Sequence, residues 1–470
     1  MTAAYHFLFY FNAQFLNSRM HSSAREPKRK RVGPRHRISY KRAANCFAPG
    51  RALRRDHYPA MHTQTLIEKK REGEALTSEE IAFLVSGFMS EEIPDSQMSA
   101  WAMAVFFQGM TPAETHCLTK TMLESGRVLE YPPDSPPKID LQSLGGVGDK
   151  TSLVLGALLA CDEAWVPMIC GRGPGLAGTT LDKLESIPGF NVQIDERRAL
   201  AQLASIGLFI IEQPEDIGPA DRKLQALREA TGTMPSHPLI AASILSTKFA
   251  ENLDRLVLNL KFGKGAVLKT QKEAQTLAAL MTKVGKLMKV KVSHLLTSMH
   301  EPLGRTVGHA LEVAECVEIL QGDGPSDVVD LTLNLAQQVS AASRAKLARW
   351  LSDGTAWRKF ISLVYAQDGD ASCLERITEI HRAPIIHPLP APAAGTVRKM
   401  EAAAIDRALL QLGGGRQKIG DPTDFAVGFS AIRKVGERVK AKEPLLLVHA
   451  RDEHTLAAVL PLLKESIEVS

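Results

Sequence analysis

The chain has 470 residues, 44% hydrophobic and 23% charged, an ordinary balance for a globular protein and too long for one simple core. It has no apolar run able to span a bilayer, and its six cysteines (Cys46, Cys117, Cys161, Cys170, Cys316, Cys373) form no C-x-x-C pair. This argues against a membrane span, a zinc site or a disulfide framework, and fits a reducing, cytoplasmic setting. The net charge of +5 is uneven: the first 60 residues hold 13 Lys+Arg against 2 Asp+Glu, leaving 44 against 50 in the rest.

The basic extension, residues 1–60, opens with "AAYHFLFYFNAQFL" and continues through "EPKRKRVGPRHRISYKRAA" without helical or strand periodicity. Three readings stand, in order of preference: sequence ahead of a true start at Met61, a targeting peptide, or a nucleic-acid-binding arm. From Met61 to about Arg127 the pattern is helical. "TSEE" at Thr77–Glu80 and "TPAE" at Thr111–Glu114 are capping boxes, the second with Pro112 at the first helical position. Between them "SQMSAWAMAVFFQGM" is apolar almost all round, which predicts a helix buried between neighbours.

After "PPDSPP" short β-like runs alternate with helical stretches. Candidate strands are Ile139–Leu141, Val166–Cys170, Phe209–Ile211, Leu256–Phe262 and Lys289–Val292, with an amphipathic helix over Lys272–Val284. The alternation predicts a parallel sheet, with ligand beyond the strand ends. There lies "LGGVGDKTS", whose Gly145, Gly146 and Gly148 mark a tight turn or a close backbone approach; it lacks both the P-loop ending and the dinucleotide spacing. The Pro-rich joint "HRAPIIHPLPAPAAG", His381–Gly395, closes this unit. The remainder, with "LLQLGGGRQ" and "VGERVKAKEPLLLVHA", predicts a small α+β domain.

Three stretches, "LGGVGDKTSLVLGALLACDEAWVPMICGRGPGLAGTTLDKLESIPGFNV", "ADRKLQALREATGTMPSHPLIAASILSTKFAENL" and "PLGRTVGHALEVAECVEIL", closely resemble the thymidine phosphorylase and pyrimidine-nucleoside phosphorylase family, from about Met61 to His449. The resemblance implies an α/β protein: an all-helical domain (61–127, completed by about 220–250) hinged to a larger mixed α/β phosphate-binding domain (137–211 and 254–380), with a C-terminal α+β domain (386–470). It implies phosphorolysis of pyrimidine nucleosides, thymidine and phosphate giving thymine and 2-deoxyribose 1-phosphate. It also implies a homodimer with phosphate as co-substrate, no metal or other cofactor, and no nucleic-acid partner. Some bacterial members carry a monovalent cation near the turn and near "FGKGA".

The same resemblance assigns site residues. Where the family has Lys-His-Ser-Thr before the turn, this chain has Leu141, Gln142, Ser143 and Leu144. The implied phosphate contacts are Ser143, Ser152 and Thr180, with Cys170 in place of a serine. Pro174, Leu176, Ala177 and Thr179 also depart from the family pattern. On the base side the implied contacts are Arg228 and Ser243, with Gln142 able to hydrogen-bond the base. Thr247 aligns with a base-contacting lysine, for which Lys248 is the stand-in. Met168 resembles the thymidine-preferring branch.

A charged hydrogen bond contributes roughly 1.5–3 kcal/mol, so leucine in place of the phosphate lysine implies a loss of about one to two powers of ten in binding. Lys150 and Arg172 are candidate sources of replacement charge. Asp149 and Lys183 are expected to be structural, and His309 a helix residue near a domain contact. The alternatives are a protein of the same fold with a degenerate phosphate site, acting as a non-catalytic nucleoside binder or interaction protein, and an enzyme using another anion or acceptor.

Overall fold

The computed structural model describes residues 61–172, 178–416 and 421–470. The expectations for residues 1–60 and for Pro174, Leu176 and Ala177 lie outside these. Four helices come first: α1 (Thr63–Arg71), α2 (Ser78–Met89), α3 (Asp95–Gln108) and α4 (Pro112–Glu124). Both expected capping boxes are formed: Thr77 with Glu80 starts α2, and Thr111 with Glu114 starts α4. Glu114 also takes the buried Lys70 ammonium at 2.8 Å, tying α1 to α4. On α3, Met98, Trp101, Ala102 and Val105 are buried, but Phe107 is 76% exposed beside half-exposed Met103 and Phe106. The prediction that this helix is covered all round is therefore corrected: one apolar face is left open.

Then follow β1 (Ile139–Ser143), α5 (Thr151–Leu159), β2 (Val166–Cys170), α6 (Thr180–Glu185), α7 (Glu196–Ile206) and β3 (Leu208–Glu212). The chain returns to the first helices as α8 (Pro219–Thr231) and α9 (His237–Ala250), whose Leu224, Leu227, Leu239 and Ala242 join their core. It re-enters the sheet as β4 (Arg255–Phe262), α10 (Gln271–Leu287) and β5 (Lys291–Ser298). The last strand begins two residues later than predicted because Lys289 has φ 63°, a left-handed turn after α10 that no strand accommodates. β1, β4 and β5 pair in parallel in the order β1-β4-β5, and β2 pairs in parallel with β3. A parallel bridge from Lys138 to Trp165 joins the two sets. The strands' carboxyl ends all open on one side.

Helices α11 (His309–Leu320), α12 (Ser326–Val339), α13 (Arg344–Ser352) and α14 (Thr355–Ala366) cover the sheet, and the short α15 (Ile377–Ile380) leads out. The joint expected over His381–Gly395 is partly a strand: β6 (Ile385–Pro390) pairs antiparallel with β10 (Pro444–Ala450). Its prolines are tolerated because β6 lies at the edge of a β6-β10-β8 sheet, with β8 at Gly428–Ser430 on the far side. A second sheet has β7 (Gly395–Met400) between β9 (Arg438–Val439) and β11 (Ile467–Val469), with α16 (Ala402–Leu412) and α17 (Glu453–Ser466) alongside. The apolar core runs without a break from Leu153 and Leu158 in α5 to Val427, Phe429 and Leu446 in these sheets. Among the described residues no helix is long and apolar enough to cross a membrane.

Candidate functional site

A cleft of about 1010 Å³ lies between the carboxyl ends of β1 and β2 on one side and helices α8 and α9 on the other. All but one of the expected site residues line it: Gln142, Ser143, Gly145, Gly146, Ser152, Cys170, Thr180, Arg228, Ser243 and Lys248 do so, while Gly148 packs in the turn against the Leu303 carbonyl. They differ in what their polar atoms already hold.

The glycine turn is shaped by packing. A Cβ on Gly146 would stand 2.4 Å from Cδ of Lys261, and one on Gly148 would stand 2.5 Å from the Leu303 carbonyl oxygen. The φ values of 71°, 143° and 73° at Gly145, Gly146 and Gly148 need glycine as well. The bare backbone thus admits the Lys261 side chain from β4. Its ammonium donates to the Ser143 hydroxyl at 2.7 Å and to Asp149 Oδ2 at 2.5 Å, and the Ser143 hydroxyl donates to that same carboxylate oxygen at 2.5 Å. Burial pushes the Asp149 carboxyl up, but the Lys261 charge together with hydrogen bonds from Lys261, Ser143 and Thr151 outweighs this and holds it well below the usual range. Burial lowers the Lys261 pKa, opposed by Asp149.

Ser143 is therefore engaged inside the protein. By contrast, the hydroxyls of Ser152 and Thr180 have no hydrogen bond among the described residues and remain available to an anion. Cys170 stands at the end of β2 with its thiol pushed up to about 12 by burial, so it is protonated and a poor donor. Leu141, buried on β1, adds aliphatic surface to the same region.

The two expected sources of replacement charge do not supply it. The Lys150 ammonium is buried on Glu315 and on the carbonyls of Leu303 at 3.3 Å and Thr306 at 3.0 Å. Arg172 reaches Glu185 at 2.5 Å, Glu212 at 2.7 Å and Asp182 at 3.3 Å. Lys183 reaches the Asp149 carbonyl at 2.9 Å and Glu312 at 3.2 Å, the structural role expected of it. Among the described residues, the cleft-lining cations with no carboxylate within 4 Å are Arg222, Arg228, Lys269 and Arg407, the last from α16.

On the opposite wall, Arg228 is buried, its Nη atoms donating to the carbonyls of Met234 at 2.9 Å and Leu239 at 3.3 Å. Its Nε has no partner. Burial lowers its pKa to about 10, which still leaves it charged at neutral pH. Gln142 donates to the Ser143 carbonyl at 3.0 Å. Lys248 is the second correction, because its ammonium turns away from the cleft. It donates to Asp140 Oδ2 at 2.5 Å, Glu251 Oε1 at 2.8 Å and the Ile169 carbonyl at 2.8 Å. It is a bolt between α9, β1 and β2 and no substitute for a base-contacting lysine. Thr247 keeps its hydroxyl on the Ser243 carbonyl at 2.7 Å.

His309, as expected, starts α11 at a domain contact, buried edge-on to Phe425 at 5.5 Å between ring centres. Burial lowers it to about 4, so it is neutral. Three residues of this region were not singled out from the sequence: Lys261, Asp221 and Asp406. For Lys261 and Asp406 the signal was a charge inside an apolar pattern, "LVLNLKFGKGA" and "AAAIDRALL"; Asp221, in "PADRKLQ", carries no such signal. Asp406, from α16, carries a buried Oδ1 without a partner and is pushed up to about 7 by burial. No group of three or more His, Cys, Asp or Glu among the described residues is placed to hold a metal ion.

Comparison with known proteins covers nearly all of the described chain. Residues 64–126 match the glycosyl transferase family helical bundle domain, residues 135–356 its a/b domain, and residues 396–470 the pyrimidine nucleoside phosphorylase C-terminal domain. The chain is 40% identical over 419 residues to a pyrimidine-nucleoside phosphorylase of Geobacillus stearothermophilus, covering 87% of this chain and 96% of the relative. It is 39% identical over 403 residues to that of Bacillus subtilis, covering 84% and 93%. The crystal structure of anthranilate phosphoribosyltransferase from Thermus thermophilus superposes with a TM-score of 0.51 at 16% identity, over 64% of this chain and 98% of that one. That likeness concerns the fold alone.

Proposed function

The chain belongs to the pyrimidine-nucleoside phosphorylase family, and from that premise we propose that it splits thymidine with inorganic phosphate into thymine and 2-deoxyribose 1-phosphate. The observation that carries this reading is the opposition, across one cleft, of two uncommitted hydroxyls, Ser152 and Thr180, to the buried guanidinium of Arg228. Phosphate seated on the hydroxyl wall attacks C1′ as the bond to N1 of the base breaks. The electron pair departs into the pyrimidine, where Arg228 and Ser243 stabilise the charge. Closure of the two walls excludes water, which would otherwise take the phosphate's place.

The deciding assay is phosphate-dependent release of thymine from thymidine by the purified protein. No release across pyrimidine nucleosides at high phosphate overturns the reading. In the same assay Leu141→Lys is expected to lower the KM for phosphate about 10- to 100-fold, the equivalent of one charged hydrogen bond. An unchanged KM would place the limiting interaction elsewhere.

A second reading, a nucleoside binder without phosphorolysis, draws on Ser143 and Lys261 both being held by Asp149. Nucleoside affinity indifferent to phosphate, measured by calorimetry, distinguishes it. We also assign the open apolar face of α3 to a homodimer contact, since Phe107, Phe106 and Met103 are exposed together on one helix, the two rings edge to face at 5.4 Å. Phe107→Glu is then expected to give a monomer in sedimentation equilibrium, and a monomeric wild-type protein excludes the assignment.

A further inference from the structure

Asp221 and Arg228 lie two turns apart on α8, on the same face, and both line the cleft. They are 4% and 1% exposed. Each carries a buried polar atom without a partner, Oδ1 of Asp221 and Nε of Arg228. Buried polar atoms in folded proteins are almost always satisfied, so two orphans on the one helix face that lines the cleft point to a ligand's own polar groups as their partners.

Nothing nearby neutralises the Asp221 carboxylate through a close ion pair. A Cβ built on Gly218 would lie 3.4 Å from Cγ2 of Thr247 and 3.7 Å from Cβ of Asp221, so threonine, without an ammonium, is the neighbour here. Lys248 on the same helix turns to Asp140 and Glu251. The charged groups facing Asp221 are Arg222 and Arg228, both on α8, and α9 offers the Ser243 hydroxyl. Arg222 is drawn off by the carbonyls of Gln213 at 3.2 Å and Pro214 at 3.0 Å. Burial raises the Asp221 pKa, and the serine and the two arginines only partly oppose it.

The departing pyrimidine gains negative charge and needs a proton. Gln142 and Thr247, where the family has histidine and lysine, cannot supply one. Resting on the phosphorolysis reading, we propose that Asp221 is the catalytic proton donor to the base. In its neutral form its O–H hydrogen-bonds a ring carbonyl oxygen of the pyrimidine. As the C1′–N1 bond breaks and its electron pair enters the ring, the proton passes to that oxygen. The base leaves in an enol form that returns to the keto form by exchange with water, the phosphate oxygen is joined to C1′, and the Asp221 carboxylate left beside Arg228 regains a proton from solvent.

The test compares full-length wild type, Asp221→Asn and Asp221→Ala across pH 5–9, by thymidine phosphorolysis at saturating phosphate and by calorimetric binding of thymine. Wild-type kcat is expected to fall as pH rises through the titration of the carboxyl. Asp221→Asn, nearly isosteric and able to hydrogen-bond but not to give up a proton, is expected to lose about 100-fold in kcat with little change in KM, and to lose the falling limb. An Asn variant with wild-type kcat and the wild-type pH profile overturns the proposal while leaving phosphorolysis intact. Should the wild type release no thymine, the phosphorolysis reading fails by itself. Thymine affinity then decides on Asp221: a decline above the carboxyl's pKa that vanishes in the Asn variant supports the contact, and identical pH-independent affinities exclude it.

Discussion

Lys248→Met is expected to lower the free energy of unfolding by about 3–5 kcal/mol, the cost of removing one partner from a buried ion cluster. Among the described residues, the Lys248 ammonium is the cation that meets the buried Asp140, Glu251 and the Ile169 carbonyl. Methionine fills the aliphatic volume but leaves two carboxyl groups facing each other in a dry interior. Burial and the neighbouring Asp140 charge already raise the Glu251 pKa well above the usual range. A carboxyl raised in the folded state stabilises below its unfolded pKa and loses that contribution as pH rises. The deficit in the variant should therefore be larger at pH 8 than at pH 5. Urea unfolding at the two pH values measures it. A variant as stable as the wild type, with a raised KM for thymidine, would return Lys248 to the list of substrate contacts.

The second large effect concerns Arg228. Arg228→Ala should reduce kcat/KM for thymidine by about 10²–10³, the usual consequence of removing one preorganised donor from a water-excluded site, while the KM for phosphate stays unchanged. Arg228→Lys should not restore it. The guanidinium holds two backbone carbonyls with its Nη atoms while directing Nε elsewhere, a fork that a single ammonium cannot reproduce. Retained kcat/KM in the alanine variant would remove Arg228 from the base side of the cleft.

The parts of the molecule readable from the sequence are those fixed by local chemistry. Thr77 and Thr111 announce α2 and α4 because a capping box closes within four residues. The candidate strands were found because buried parallel strands are continuous apolar runs. The same locality explains the misses. Apolar residues all round α3 cannot say whether the cover is this chain or another. Pro388 and Pro390 look like a linker until β10 arrives from more than fifty residues away to make β6 an edge strand.

In the site, motif spacing put the expected side chains on one cleft but could not say which way their charges point. Lys150 and Asp149 are adjacent, yet the lysine turns to Glu315 and the aspartate is met by Lys261 from another strand. Lys248 next to Thr247 looked like a one-residue slip of a contact. A helix sends consecutive residues in directions about 100° apart, so the two cannot exchange roles.

Asp149 gives the hydroxyl-lined wall a built-in rival for any incoming oxyanion. Its carboxylate is tethered to the turn between β1 and α5, so it competes at the high effective concentration of an intramolecular ligand. An oxyanion that recruits Ser143 and Lys261 must first displace it, and the observed affinity is then the difference between two ions for one pair of donors. An anion held by Ser152 and Thr180 alone leaves that network intact, whereas one that also takes Ser143 or Lys261 binds by exchange with Asp149.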